Sequence, residues 1–558
     1  MEPGSCPGST VSEGSDELLS EAPESDVPLG TWAQDEVFRH SDILEVISYH
    51  IGDPLASPSA FSARQDLFCA ALTCRGFLAP CMDILWRDLD SLLPVLRLLP
   101  DFTYVDGSYV RYLLPTPSTS LKRCRQILLG TVQVDDWLRL DTYARRVRSL
   151  AMGYDSSFIS PQVFIRLLKL RSNPLLPALA QLRISTSSFT DAQSSFLLPA
   201  PALTSVEIDI GTESAGVPTL LLTLSQEQPL ISHLSLRGAG KLPSSMFAPS
   251  CAFISHMKHI SSLHLSFSVP SIFNSLMPVL EMVSLIDLSL DLRGCTIECV
   301  MPYFVFPPLP GAIAPVRRIK KLRVEGEGPI ILHLTKRLGV IPSLTVLEVI
   351  VHSDRTVLFP LKIGTFFHNI MLWILLLAKS IRSLRIHNDS AIHASESSAV
   401  FLNPNLIDLE HLEFTNFPIS AEDEDIEAFT LSSPSLIDLF LPGGGQKLPS
   451  PAVLRYLSEN CPKLEHLQIH LNMTFVPKLP ESYCYSHLLK NLTIGSYDFE
   501  ATIDNLIAIS SYLHRLFPHL RTVQQDDAYD IEQWGHVDLL LRAFQSVRKD
   551  TYACLGLT

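Results

Sequence analysis

Charge is scarce in this chain of 558 residues: Asp, Glu, Lys and Arg make up 18% of it, hydrophobic residues 46%, and the formal net charge is −15. With an isoelectric point near 5.6 and no concentrated basic stretch, a nucleic-acid surface is not expected. The 11 cysteines include no C-x-x-C pair and no Cys/His quartet, which argues against a structural zinc and for reduced, mostly buried thiols. The phosphate-cradling G-x-x-x-x-G-K-[ST], the zinc-protease H-E-x-x-H and the nucleophile elbow G-x-S-x-G are all missing. Without a nucleophile, base and orienting residue in one pattern, the chain is read as a non-enzyme with no cofactor. The most apolar run, Ile370–Ala378, falls far short of the roughly 20 residues that cross a bilayer, so no membrane contact is expected. The residues after Met1 are polar and acidic rather than a basic stretch and an apolar core. The expected location is therefore the cytoplasm, the nucleus or both, and the sequons at Asn388, Asn472 and Asn491 do not imply glycosylation.

What is present divides along the chain. Residues 1–35 are rich in Ser, Glu, Gly and Pro without hydrophobic periodicity and read as a disordered acidic tail. Residues 36–92 read as a three-helix module. Ile43, Val46, Ile47 and Ile51 form the apolar face of its first helix, Leu67, Ala71, Cys74 and Leu78 that of its second, and the third runs through Met82, Leu85 and Leu89. So small a core often needs a partner to complete it. Residues 93–148 form a linker and a cap helix, Asp135 to Arg148, whose acidic start and basic end suit the helix dipole. Its apolar face, Trp137, Leu140, Ala144 and Val147, is expected to cover the exposed first edge of the region beyond Arg148.

From 149 to 525 the chain repeats. Short L-x-L-like strand cores are centred on Arg183, Glu207, Ser235, His264, Ser289, Arg323 and Glu348, then on Arg385, Glu413, Phe440, Gln468 and Thr493. Their spacing is 24 to 37 residues, most often 24 to 29, with weaker units at Leu150 and Val523. Helices fill the gaps, with Ser160-Pro161 and Ser450-Pro451 as starts that suit a serine cap and a proline in the first turn. A strand–helix unit cannot bury both faces alone, so the units stack into an α/β solenoid with a parallel sheet on its concave side. Residues 526–558 would close its C-terminal end. Longer inserts near 295–317 and 350–379 break the period.

Asp42-Ile43-Leu44-Glu45-Val46-Ile47, Ala70 through Pro80 and Asp83-Ile84-Leu85-Trp86 together resemble an F-box, most like those of basidiomycete fungal F-box proteins with leucine-rich repeats. Asp135 to Arg148 is similar to the segment leading such proteins into their repeats. The resemblance implies that Ile43, Leu44, Ile47, Leu72, Cys74, Arg75, Phe77 and Trp86 build the module or dock a Skp-type adaptor. Through that adaptor and a cullin, such proteins present a target protein for ubiquitin transfer. Two departures stand out: Ser41-Asp42 replaces the usual opening Leu-Pro, and the loop from Gly52 to Gln65 is long. A repeat scaffold that binds protein without a ligase is the second reading.

Alternation sends the residues between the leucines to the concave side. Target-binding candidates are therefore Arg183, Glu207, His264, Arg323, Glu348, Arg385, Glu413, Phe440 and Gln468, with an exposed Phe440 as the anchor. Most of these residues, taken singly, are expected to be merely solvated. His233, His264, His387, His411, His466 and His470 also lie on strands, but His411 and His466 are separated by a whole repeat and no metal site is expected. Glu422-Asp423-Glu424-Asp425 reads as a helix start, and Gly443-Gly444-Gly445 as a turn.

Overall fold

The computed structural model describes residues 40–52, 60–105, 125–153, 159–171, 173–186, 197–211, 216–228, 230–238, 244–266, 276, 278–293, 295, 318–338, 341–352, 380–389, 408–416, 421–443, 448–479, 487–497, 502–525 and 531–554. The acidic tail, nearly all of both inserts, the run Ile370–Ala378, and Gly444 with Gly445 lie outside the described residues. The chain divides into two compact units, Met1–Arg87 and Asp88–Thr558.

The first unit is built from α1 (Ser41–Ile51), α2 (Ala60–Thr73) and α3 (Arg75–Arg87). Its core is Leu67, Ala71 and the fully buried Cys81, with Ile51, Ala70, Phe77, Ile84 and Leu85 packed around them. Four expectations are corrected here. Leu44 and Ser48, not Ile43 and Val46, are the buried residues of α1; Ser48 is admitted because its hydroxyl hydrogen-bonds the Cys81 thiol at 3.3 Å. The second helix stops at Thr73 instead of running through Leu78, and Cys74 sits in the break before α3. The third helix ends at Arg87, leaving Leu89 to a strand, and α2 begins at Ala60, which ends the loop before Gln65. Gly52 closes α1 where a Cβ would lie 2.8 Å from Leu67 Cδ1 and 3.0 Å from Ile84 Cγ2, so a larger residue there would make the side chains of α2 and α3 shift.

In the second unit the strands are β1 (Asp88–Leu89), β2 (Phe102–Val105), β3 (Arg125–Leu128), β4 (Ser149–Met152), β5 (Gln181–Ser185), β6 (Ser205–Asp209), β7 (His233–Arg237), β8 (Ser262–Ser266) and β9 (Asp287–Asp291). They continue with β10 (Lys321–Gly326), β11 (Val346–Val351), β12 (Ser383–Asn388), β13 (His411–Thr415), β14 (Asp438–Leu441), β15 (His466–Asn472), β16 (Asn491–Tyr497) and β17 (Thr522–Gln525). β2 and β3 form a separate antiparallel pair; the other 15 join in one sheet in chain order. Neighbours in that sheet are parallel throughout. This is a leucine-rich-repeat solenoid. All twelve expected strand cores lie on β5 to β16, and Leu150 and Val523 on β4 and β17.

Register follows from the leucines. Leu150, Leu182, Val206, Leu234 and Leu263 are aligned partner to partner, and the column runs on through Leu288, Leu322 and Leu347 to Leu492 and Val523. A slip of one residue would turn this entire column to water, so burial alone fixes the pairing. Leu89 aligns with Leu150, which makes β1 an additional strand that the repeat spacing did not announce.

Between strands the helices turn their apolar residues inward. Helix α6 (Pro161–Leu170), which comes after α4 (Leu93–Leu96) and α5 (Val134–Ala144), has Ser160 at its N-cap and buries Val163, Phe164 and Leu167. The cap helix α5 is shorter than expected: it starts from a Gln133/Asp136 capping box and ends at Ala144, so Val147 and Arg148 lead directly into β4. Asn388 and Asn416, at the ends of β12 and β13, each donate a side-chain hydrogen bond to the other's backbone carbonyl, at 3.4 and 3.0 Å. Asn416 does so with φ at 59°, a conformation that asparagine tolerates better than most residues. Among the described residues no helix is long and apolar enough to cross a membrane.

Candidate functional site

Two surfaces carry the candidate residues, one on each unit. On the helical unit, Leu44 is 2% exposed and builds the core, whereas Leu72 is 69% exposed. Ile43 and Arg75 are also exposed; Ile47, Cys74, Phe77 and Trp86 are half-buried. Four further apolar residues are exposed: Tyr49 on α1 and Phe68 on α2, which the pattern missed, and Val46 on α1 and Leu78 on α3, which it assigned to the core. Ile43, Val46 and Tyr49 recur every third residue and form a stripe along α1, while Phe68 and Leu72 are one helical turn apart on α2. So much apolar surface left in water on so small a unit makes this surface a candidate interaction site.

On the sheet, the odd positions of each strand alternate away from the buried leucines and form columns across neighbouring strands. Arg183, Glu207, Ser235, His264 and Ser289 are consecutive partners in one such column. Arg323, Glu348, Arg385, Glu413, Phe440 and Gln468 continue it. These residues are less solvated than expected, because they pair across strands. Glu207 is held by Arg237 at 2.7 Å and Arg183 at 3.6 Å. Arg323 reaches Glu348 at 3.3 Å, and Arg385 reaches Glu413 at 3.2 Å. His264 is hydrogen-bonded to Ser289 at 2.8 Å; burial and the nearby Arg237 guanidinium hold its imidazole below the usual range. Phe440 is half-buried, not exposed, and has Glu413 and Gln468 as its register neighbours.

Two clusters were not anticipated. Glu325 on β10 collects Arg293 at 3.1 Å, Arg323 at 3.4 Å and His352 at 3.0 Å, and His352 also reaches Asp389 at 2.8 Å. Asp291 beside them is largely buried, which would raise its carboxyl, but hydrogen bonds from Arg293 and Ser266 bring it below the ordinary value. In the second cluster, His411 Nδ1 donates to Asp438 Oδ2 at 2.5 Å and His466 Nδ1 donates to Asp438 Oδ1 at 2.7 Å. The two histidines are two repeats apart in sequence, yet the register aligns both with the aspartate on the strand between them. The sequence signal for both clusters was available: the positions just before, three after and five after each first leucine lie on the same side as the central position.

Elsewhere Glu422 caps α10 (Asp423–Ser432), which comes after α7 (Val217–Glu227), α8 (Ser244–His256) and α9 (Gly328–Leu338). The acidic run is therefore a helix start, with Asp423 accepting hydrogen bonds from Ser450. Gly443 lies against His470, which is buried between it and Gly495. Among the described residues no group of three His, Cys, Asp or Glu side chains is placed to hold a metal ion.

No protein-family model matches the chain, and no curated protein matches it. Among solved structures it is similar to a chain of the Rad7–Elc1 complex in yeast, at 10% identity and a TM-score of 0.34, over 90% of this chain and 94% of that one. It is also similar to the leucine-rich repeat-containing protein LegL7 from Legionella pneumophila, at 14% identity and a TM-score of 0.32, over 58% of this chain and 94% of that one. Likenesses at this level carry no functional argument.

Proposed function

We propose that the chain is the substrate-recognition subunit of a Skp–cullin–F-box ubiquitin ligase, working in the cytoplasm or nucleus. The helical unit holds the adaptor, the open face of the sheet holds a target protein, and the transfer chemistry belongs to the partners. The observation that carries this reading is the set of exposed apolar residues Ile43, Val46, Tyr49, Phe68, Leu72 and Leu78 on a three-helix unit whose sequence resembles an F-box. Burying one such side chain at an interface is worth about 1.5–3 kcal/mol at full burial.

The test is co-purification of the full chain with a Skp-type adaptor and cullin. Leu72→Asp, at an exposed position, leaves the unit folded and abolishes capture on this reading; Leu72→Met retains it. The opening Ser41-Asp42, both exposed on the first turn of α1, favours a second reading, a repeat scaffold that binds its partner without any ligase. Failure of the unaltered chain to capture adaptor, with its target still bound, selects that alternative.

A further inference from the structure

On β5 to β12 the open face of the sheet carries both signs, with Arg183, Arg237, Lys321, Arg323 and Arg385 standing among Glu207, Asp209, Asp287, Asp291, Glu325 and Glu348. From β13 to β17 none of the open-face strand positions is Lys or Arg, and Glu413 and Asp438 are the only carboxylates there. This end of the face thus presents carboxylates with no lysine or arginine on its own strands.

Its centre is aromatic. Phe440 stands beside Glu413 across β13 and two residues along β14 from Asp438, on the same side of the strand. Neighbouring strands are about 4.8 Å apart, and alternate residues about 6.6–6.8 Å apart along one strand. A cation over the phenyl ring, within about 6 Å of its centre, is therefore in reach of both carboxylates. Asp438 is oriented in advance by His411 and His466, which donate one hydrogen bond each to its two oxygens. Glu413 is oriented by Arg385.

We infer that the β13–β15 stretch of the open face takes a Lys or Arg side chain from a basic segment of the target protein, with Phe440, Glu413 and Asp438 as its receptor. The inference rests on the reading of this face as the target surface. An acidic segment meets Asp438 and finds Arg385 already paired with Glu413, so it is disfavoured here.

Random dodecapeptides displayed against the full chain provide the probe, and binding of the selected peptides is then measured by fluorescence anisotropy. Selection of Lys- or Arg-bearing peptides is expected, with binding that weakens as salt rises. Asp438→Asn and Phe440→Leu should each weaken it about tenfold. Phe440→Leu keeps an apolar side chain of similar reach, so its effect isolates the ring, and far-UV circular dichroism checks that the fold is retained. Glu227→Gln, an exposed carboxylate on α7 away from the sheet, is expected to change nothing. Selection of acidic peptides, selection of no peptide, or basic peptides indifferent to both substitutions overturns the inference. Adaptor capture is measured on the same samples: if it persists, only the basic-segment inference falls, and if it is absent, the receptor reading falls as well.

Discussion

Adding a single methyl group at Gly495 tests how tightly the last repeats are packed. Gly495 on β16 is the register partner of His470 on β15, and a Cβ there would penetrate the imidazole. A Cβ at Gly443 would penetrate the same ring from the other side and stand 2.8 Å from His470 Cβ. Rotating the ring away from one glycine drives it toward the other, so the strain passes to the backbone. Overpacking of this kind costs about 1–3 kcal/mol. In Gly495→Ala, amide exchange of β15 and β16, followed by mass spectrometry on the folded chain, should accelerate about 5- to 150-fold, the equivalent of that cost. Local exchange is the appropriate readout because a stacked-repeat protein need not unfold in one step. His470→Ala removes the ring, and in that background the added methyl group should cost less than about 0.5 kcal/mol, giving a coupling of at least about 0.5 kcal/mol. Equal costs in the two backgrounds would refute the argument.

Three other outcomes are expected from the contacts within each unit. Leu44→Ala should destabilise the helical unit by about 2–4 kcal/mol, as a core truncation, whereas Val46→Ala should stay within about 0.5 kcal/mol; urea titration of the full chain, followed by exchange in α1 to α3, separates them. Glu325→Gln strips the shared counter-ion from Arg293, Arg323 and His352, and because both arginines are substantially exposed the loss should be about 1–2 kcal/mol, read as faster exchange in β10 and β11. Acidification should destabilise the C-terminal repeats through His487. Burial lowers its pKa from the ordinary 6.5, its Nε2 donates to the Cys461 carbonyl at 2.8 Å, and its Nδ1 accepts from the Leu489 amide at 3.1 Å. The unfolded chain thus takes up this proton first, so stability is fully present above pH 6.5 and is lost as the pH falls through the lowered folded value. His264 and His514, both lowered chiefly by burial, act in the same direction. Thermal unfolding at pH 7.5 and 5.5 measures the loss, and a higher midpoint at pH 5.5 would contradict it.

Leucine spacing by itself determined the solenoid, its direction and its register. A column of apolar residues recurring every 24 to 37 positions can be buried only by stacking, and period-two alternation then decides which residue faces which way. The open-face column from Arg183 to Gln468 was readable for the same reason. What spacing could not supply was anything that depends on two residues far apart in the chain meeting. β1 has only Asp88 and Leu89, too short to show a period, and joins the sheet because β4 is there to receive it. On α1 five aliphatic residues offered two possible faces, and packing against α3, with Cys81 accommodating Ser48, decided that Leu44 goes inside and Ile43 and Val46 stay out. His411, Asp438 and His466 are 27 and 28 residues apart in sequence. Only a parallel sheet in that register brings them to one point, because adjacent strands convert a whole repeat of sequence into about 4.8 Å of space.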